Sequence, residues 1–427
     1  MKFYLISLGC PKNLTNSEEF SARLLAKGNE MVFAPEEADE IIINTCGFID
    51  SAVQEAKTEI RQAISLKKKG IVKKVAVTGC LVERFKEQVA AEFPEIDTLF
   101  SIGAQEQVEK TLRKKGAFLE PLPSSLYLPP YKMSLTAPHT AYLKVADGCN
   151  NRCAYCTIPF IRGNYRSKPM EDILREATLM VEHGVKEISL IAQDTTSYGM
   201  DLYGRPYLLE LLEKLLKISG LGRLRIMYGY PHRVTQEIAS LIASTDKIFH
   251  YIDIPLQHIA DPVLKRMNRH CDGAQIRRTL DMLKKTVPDI SLRTNFIVGF
   301  PGETEKDFKE LQRFVSEYEF DNMGVFEYFR EAGTAAYDME QIPQAVKHTR
   351  ALALEETQSR VIDKINKKLV GTTLEVIADG PTFGRTYKDA PDIDGKVTFA
   401  KPVTMGNIFK AKVIKAEGYE RTVDPIK

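Results

Sequence analysis

A chain of 427 residues with 44% hydrophobic and 27% charged side chains can bury large cores and is too long for one, so two or three domains are expected. Its 59 basic and 57 acidic side chains almost cancel, which removes any global electrostatic case for nucleic-acid binding and leaves only local patches. The opening MKFYLISLGCPK holds too short an apolar run for an export signal, and no later stretch reaches about 18 apolar residues, so a cytoplasmic protein without membrane contact is expected.

In chain order, short β-rich runs alternate with helical patterns. Phe3 to Leu8, Glu40 to Asn44 and Lys74 to Thr78 read as strands, with helices through Ser17 to Ala26 and from Asp50 to about Lys67 between them. That rhythm predicts an α/β domain with a parallel sheet over residues 1–118. Pro121, Pro123, Pro129, Pro130 and Pro138 then mark residues 119–138 as a linker.

From 139 to 369 the alternation returns on a larger scale. Strands are expected at Tyr142 to Ala146, Glu187 to Ala192, Arg223 to Tyr228, Tyr251 to Pro255, Ser291 to Val298 and Asn322 to Tyr328. The segment Met170 to His183 shows the helical logic: Glu171 and Asp172 suit a helix start, Ile173, Ala177, Met180 and Val181 form one stripe, and Gly184 ends it. Six such units predict a partial βα barrel, although a doubly wound sheet has the same pattern. After a charged helix through Lys347 to Lys368, residues 370–427 break into short strands punctuated by Gly371, Gly380, Gly384, Gly395, Gly406 and Gly418, the pattern of a small antiparallel barrel of the oligonucleotide-binding type.

Seven cysteines in a chain without an export signal point to reduced thiols that bind metal or react. DGCNNRCAYCTIPFIRG sets Cys149, Cys153 and Cys156 as CxxxCxxC in one loop. At 7 cysteines in 427 residues the chance of partners at both spacings is roughly 3 × 10⁻⁴ per cysteine, so coincidence is a poor account. Structural zinc is the rival ligand, but it asks for four closed donors and this loop offers three. The second set is dispersed: Cys10 ends LISLGC, Cys46 ends IIINTC and Cys80 ends VAVTGC, each at the carboxyl end of a predicted strand. In an open parallel sheet those ends line one crevice. Cys271, in RMNRHCDGAQ, has no such company and reads as structural.

On the CxxxCxxC loop the central region resembles the radical S-adenosylmethionine (SAM) superfamily. The resemblance implies that Cys149, Cys153 and Cys156 hold a 4Fe-4S cluster whose fourth iron binds SAM, the source of a deoxyadenosyl radical. It further implies that Tyr155 lies against the adenine, a place an ordinary loop aromatic also fits. Other superfamily-like positions lie at later strand ends: Gln193 and Asp194 in LIAQDTTSYG, Gln257 and His258 in DIPLQH, and Arg293, Gly299 and Glu303 in RTNFIVGFPGET. Gly299 also suits a plain turn, and Gln257 a strand-end cap.

With both triads in view, the whole chain resembles the methylthiotransferase family, which joins an N-terminal cluster domain, a radical SAM domain and a TRAM domain. The resemblance implies a second 4Fe-4S cluster on Cys10, Cys46 and Cys80, and sulfur insertion into an unactivated C–H bond. SLGCPKN, AQDTTSYG, ADGCNNRCAYCTIP and DAPDIDG are similar to the branch that methylthiolates the β-carbon of an aspartate in small-ribosomal-subunit protein number twelve. An electron donor such as a flavodoxin or ferredoxin is implied as a further partner. The branch acting on a modified adenosine of transfer RNA usually has glutamine and methionine where this chain has Pro11 and Lys12, which argues against RNA. Asp389, Asp392 and Asp394 cluster in one predicted loop, suited either to docking a basic ribosomal protein or to a solvated turn, while Lys410, Lys412 and Lys415 alternate along a strand. A non-catalytic metal-cluster or zinc RNA-binding module is the competing class of function.

Overall fold

Alternating apolar runs and amphipathic helices build two parallel sheets in succession in the computed structural model, which describes residues 1–126 and 133–426. Pro129 and Pro130 of the expected linker lie outside the described residues. The first sheet holds β1 (Lys2–Ser7), β2 (Glu30–Val32), β3 (Glu40–Thr45), β4 (Lys74–Gly79), β5 (Thr98–Phe100) and β6 (Gly116–Phe118) in the order β2-β1-β3-β4-β5-β6. Every neighbouring pair is parallel. β3, EIIINT, is buried along its whole length, as a strand covered on both faces must be.

Helix α1 (Pro11–Ala26) begins six residues before the expected Ser17, with Pro11 in the first turn. Its buried face includes Lys12, Asn13, Thr15, Asn16, Ser17 and Glu18, so no apolar stripe announces it. Helix α2 (Asp50–Lys68) does carry one, in Val53, Ala56, Ile60, Ala63 and Ile64. A third helix, α3 (Cys80–Phe85), follows β4 directly.

The second sheet is an open, six-stranded partial barrel. Its strands β7 (Thr140–Lys144), β10 (Glu187–Ile191), β11 (Arg223–Ile226), β12 (Ile248–Asp253), β13 (Ser291–Val298) and β14 (Asn322–Glu327) run in the order β14-β13-β12-β11-β10-β7, all parallel. Two short strands, β8 (Ala146–Asp147) and β9 (Arg166–Ser167), pair antiparallel across the base of the CxxxCxxC segment. Outward residues such as Leu143, Ile188, Leu190, Leu224 and Leu292 pack under the helices, and Tyr142, Ile191, Met227, Phe249 and Tyr251 form a separate cluster with Ala390 from the C-terminal region. Among the described residues no helix is long and apolar enough to cross a membrane.

The C-terminal barrel is closed, with β15 (Thr373–Ala378), β16 (Phe383–Thr386), β17 (Val397–Phe399), β18 (Ile408–Glu417) and β19 (Glu420–Pro425) in the order β15-β16-β17-β19-β18. Its pairs are antiparallel apart from β17 with β19. The core, including Val376, Val397, Phe399 and Val413, packs on Val361, Ile362 and Ile365 of the helix Gln344–Leu369.

The acidic loop of this barrel is neither a solvated turn nor an acidic docking face. Asp389 is fully buried and bonded to Arg421 at 2.8 Å. Asp394 accepts from Tyr251 Oη at 2.9 Å and from Arg293 Nε at 3.0 Å, which leaves Asp392 as the exposed acid of the three. The same segment closes the amino end of the central sheet: Arg385 ion-pairs with Glu187 at 2.8 Å, Arg225 donates to Tyr387 O at 2.8 Å, and Tyr142 Oη donates to Pro391 O at 2.9 Å. Lys410 and Lys412 do stand outside, alternating with buried Ala411 and Val413.

Candidate functional site

β1, β3 and β4 end at one edge of the first sheet, and each meets a cysteine flanked by glycine: Gly9-Cys10, Cys46-Gly47 and Gly79-Cys80. The strand order reverses between β1 and β3, the point where open α/β sheets bind ligands. The glycines let three turns pack backbone against backbone. A Cβ on Gly9, whose φ is +87°, would lie 2.9 Å from Cys46 Cβ and 3.1 Å from its Sγ. One on Gly79, at φ +100°, would lie 2.4 Å from Asn44 Oδ1 and 2.5 Å from Thr45 O.

Charge and burial act differently on these thiols. Burial pushes Cys46 up to about 11 and also raises Cys80. For Cys10 the upward push of burial is overcome by the positive charges of Lys12 and Arg162 and by backbone N–H groups of Asn13 and Lys12, so its pKa falls below the ordinary thiol value. Cys10 is open to water yet enclosed by protein on a larger scale, as befits a side chain lining a crevice.

The central triad is held by its own loop. Gly148 turns at φ +82° where a Cβ would strike Asn164 O at 2.2 Å. Cys149 N then bonds Gly163 O at 3.1 Å, and Cys156 N bonds Cys153 O at 3.0 Å. Ala154 N reaches Met267 O at 2.9 Å, and Asn268 Nδ2 reaches Arg152 O at 2.8 Å, which ties the loop to the segment after β12. Burial lifts Cys149 to about 11 and raises Cys156 as well. Burial therefore keeps the thiols of Cys46, Cys80, Cys149 and Cys156 protonated until a metal replaces their protons.

Each triad also has an arginine beside it, buried Arg162 at one and half-buried Arg269 at the other. Arg269 Nη1 lies 3.5 Å from Cys153 Sγ, and its guanidinium stacks 3.9 Å from the Tyr230 ring centroid. Arg162 ends the short helix Ile158–Arg162 that follows the central loop, yet it reaches into the first domain. It donates to Cys80 Sγ at 3.3 Å, Asn13 Oδ1 at 3.2 Å and Asn16 Oδ1 at 2.8 Å, and ion-pairs with Asp147 at 3.2 Å. The two cysteine sets thus face one interface, which Arg84–Glu331 at 2.8 Å and Thr157 Oγ1 to Phe48 O at 3.1 Å help to close.

The other residues singled out in the sequence fall around the central loop or below it. Tyr155 packs edge-on to Phe300, with ring centroids 6.4 Å apart. Gln193 donates to Asp147 Oδ1 at 2.8 Å. Asp194 is committed to structure: it caps a turn through Ser197 N at 3.1 Å and accepts from Asn151 and Arg233. Gln257 sits at φ +72° and bridges Phe296, while Gly299 N and Phe300 N both donate to the Glu303 carboxylate. Arg293 lies inside the barrel, fixed between Asp253 at 3.0 Å and Asp394. Cys271 is buried in the central core, as a structural thiol should be. Sequence reasoning missed Arg162, Arg269 and Asp147 entirely. The arginines of CTIPFIRG and RMNRHC and the aspartate of ADGCNN were the available signal, and nothing local says that they meet at the triads.

Both donor sets suit iron-sulfur clusters. A mononuclear zinc would gather its thiolates at about 2.3 Å from a single point. A multinuclear cluster would place each cysteine on its own iron, and the arginines at Cys80 and Cys153 donate to sulfur, the kind of hydrogen bond that tunes such clusters.

Known proteins agree with this architecture. Residues 143–315 match the radical SAM superfamily, residues 2–101 the uncharacterized protein family UPF0004, and residues 370–425 the TRAM domain. The ribosomal protein uS12 methylthiotransferase RimO of Elusimicrobium minutum is 48% identical over 424 residues, 99% of each chain. RimO of Acetivibrio thermocellus is 41% identical, covering 98% of this chain and 97% of its own. Among solved structures, the radical SAM methyltransferase TsrM of Kitasatospora setae shares the fold at 13% identity, with a TM-score of 0.57 over 79% of this chain and 76% of its own. With both triads, all three regions and near full-length identity in place, the chain belongs to the RimO family of radical SAM methylthiotransferases.

Proposed function

We propose that this enzyme adds a methylthio group to the β-carbon of an aspartate in ribosomal protein uS12. Cys149, Cys153 and Cys156 hold the SAM-binding 4Fe-4S cluster, and Cys10, Cys46 and Cys80 hold a second one. When bound, the clusters and SAM supply the one-electron chemistry that opens an unactivated C–H bond, together with the sulfur and methyl group that replace its hydrogen. The observation that carries the reading is the meeting of two cysteine triads at one interface, tied together by Arg162.

The chain's own residues supply enclosure and orientation. Tyr155, Phe300 and Tyr328 form an apolar wall beside the central loop. Gln193 and Asp147 buttress that loop from β8 and β10. Arg162 and Arg269 stabilise thiolate sulfur without adding a titratable proton near pH 7. A flavodoxin or ferredoxin serves as electron donor in the cytoplasm, and transfer RNA is not the substrate.

Mass spectrometry tests the proposal directly. Reconstituted enzyme with SAM and a reductant is expected to add one methylthio group to recombinant uS12 and none to transfer RNA. Modification of RNA alone would overturn the assignment.

A further inference from the structure

Lys12 was singled out in the sequence only as a mark of one branch, and the role proposed above leaves it unused. It stands two residues after Cys10 in the first turn of α1, held there by Pro11, whose ring presets the helical backbone. It is 8% exposed, and its Nζ lies 3.3 Å from the centroid of the Tyr228 ring, just past the carboxyl end of β11. Among the described residues its ammonium has no carboxylate partner. Leu14, two residues further on, packs against the same cluster of central side chains as Tyr228.

The charged neighbours explain why that partner is lacking. Asp253 is used up, with Oδ1 on Arg293 at 3.0 Å and Oδ2 on Tyr228 N at 3.2 Å. Asp147 is used up by Arg162, Gly148 N and Gln193. Arg162 is a second cation and only repels. A largely desolvated ammonium resting on an aromatic face is a half-built anion receptor. The positive end of α1 lies behind it and adds to the same field.

We infer that Lys12 receives the side-chain carboxylate of the substrate aspartate and thereby selects an acidic side chain over a neutral one. The inference rests on the uS12 reading and deepens it. A carboxylate carbon is bonded to the β-carbon, so gripping the carboxylate beside Cys10 brings the carbon to be modified to the N-terminal triad. An adenosine offers no anion at its reacting atom, so a lysine there would gain no charge pair from it.

The test uses full-length reconstituted enzyme, recombinant uS12, and uS12 whose modified aspartate, located by mass spectrometry, is replaced by asparagine. Dissociation constants are measured for wild type, Lys12→Met and Lys12→Arg, alongside iron content and the electron paramagnetic resonance of the reduced clusters. Wild type is expected to prefer the aspartate form by about 10- to 100-fold, the worth of one charge-assisted hydrogen bond. Lys12→Met loses that preference with iron and spectra unchanged, and Lys12→Arg keeps part of it. An undiminished preference in Lys12→Met sinks the inference and leaves the uS12 assignment standing. Failure of the wild type to bind or modify uS12 sinks both. Should Lys12→Met lose iron, the preference measured in Lys12→Gln decides.

Discussion

The two cysteine triads are assembled by opposite routes. Cys149, Cys153 and Cys156 lie within one loop that supplies its own turns, whereas Cys10, Cys46 and Cys80 come from three strands and meet only because the first sheet has the order β2-β1-β3-β4-β5-β6. The compact set depends on local backbone. The dispersed set depends on topology and on Arg162, which belongs to the next domain.

Alanine at Cys149, Cys153 and Cys156 together should break the comparison most severely. Activity should vanish while about half of the iron remains, because the dispersed triad has its own scaffold. Alanine at Cys10, Cys46 and Cys80 should instead leave reductant-dependent SAM cleavage and abolish sulfur transfer. Iron and sulfide analysis of both variants reads the outcome, and loss of all iron from either would show that the sites are interdependent.

Arg162→Gln comes next. It strips one partner from a buried ion pair, a change that typically costs about 3–5 kcal/mol, and it leaves Asp147 and Cys80 without their cation. Iron should be lost selectively from the N-terminal triad and the melting temperature should fall. Equal loss from both sites would contradict the asymmetry.

Gly79→Ala should cost about 1–3 kcal/mol, since φ is +100° and a Cβ would meet Thr45 backbone atoms. Gly70→Ala is the control: it shares a positive φ, +74°, but a Cβ there meets nothing within 4 Å. Denaturant midpoints of the two variants separate crowding at the triad from backbone strain alone.

The last effect depends on pH and comes from Glu40, the first residue of β3. It is 1% exposed, and burial raises its carboxyl to about 7. The folded chain therefore binds this proton more tightly than the unfolded one. The stability so gained is complete below about pH 4 and is lost as the pH rises through 7, a change of roughly 3 kcal/mol. Glu40→Gln should flatten that slope in thermal melts recorded from pH 5 to pH 8.

The sequence reveals the two triads unequally. The central spacing is visible on inspection, and β13 runs over Ser291–Val298 as expected, with Leu292, Phe296 and Val298 on its buried face. The dispersed triad is legible only after the strands are placed, since nothing local links Cys10 to Cys80. Helix α1 was read six residues short because the face it buries is polar. The acidic loop misled for the converse reason: Asp389 and Asp394 look solvent-loving, but their cations, Arg421 and Arg293, are supplied by strands far away in sequence. Charge in a sequence does not say which charges will be paired.

That loop sets a limit on how this chain can be divided. Because residues 385–394 act as a stopper in the amino end of the central sheet, a protein cut after Leu369 would not simply lack an appendage. Glu187, Arg225 and Arg293 would each lose a partner and face water through an uncorked floor. In the intact molecule that floor stays covered, and Lys12 and the first domain lie at the opposite rim of the sheet.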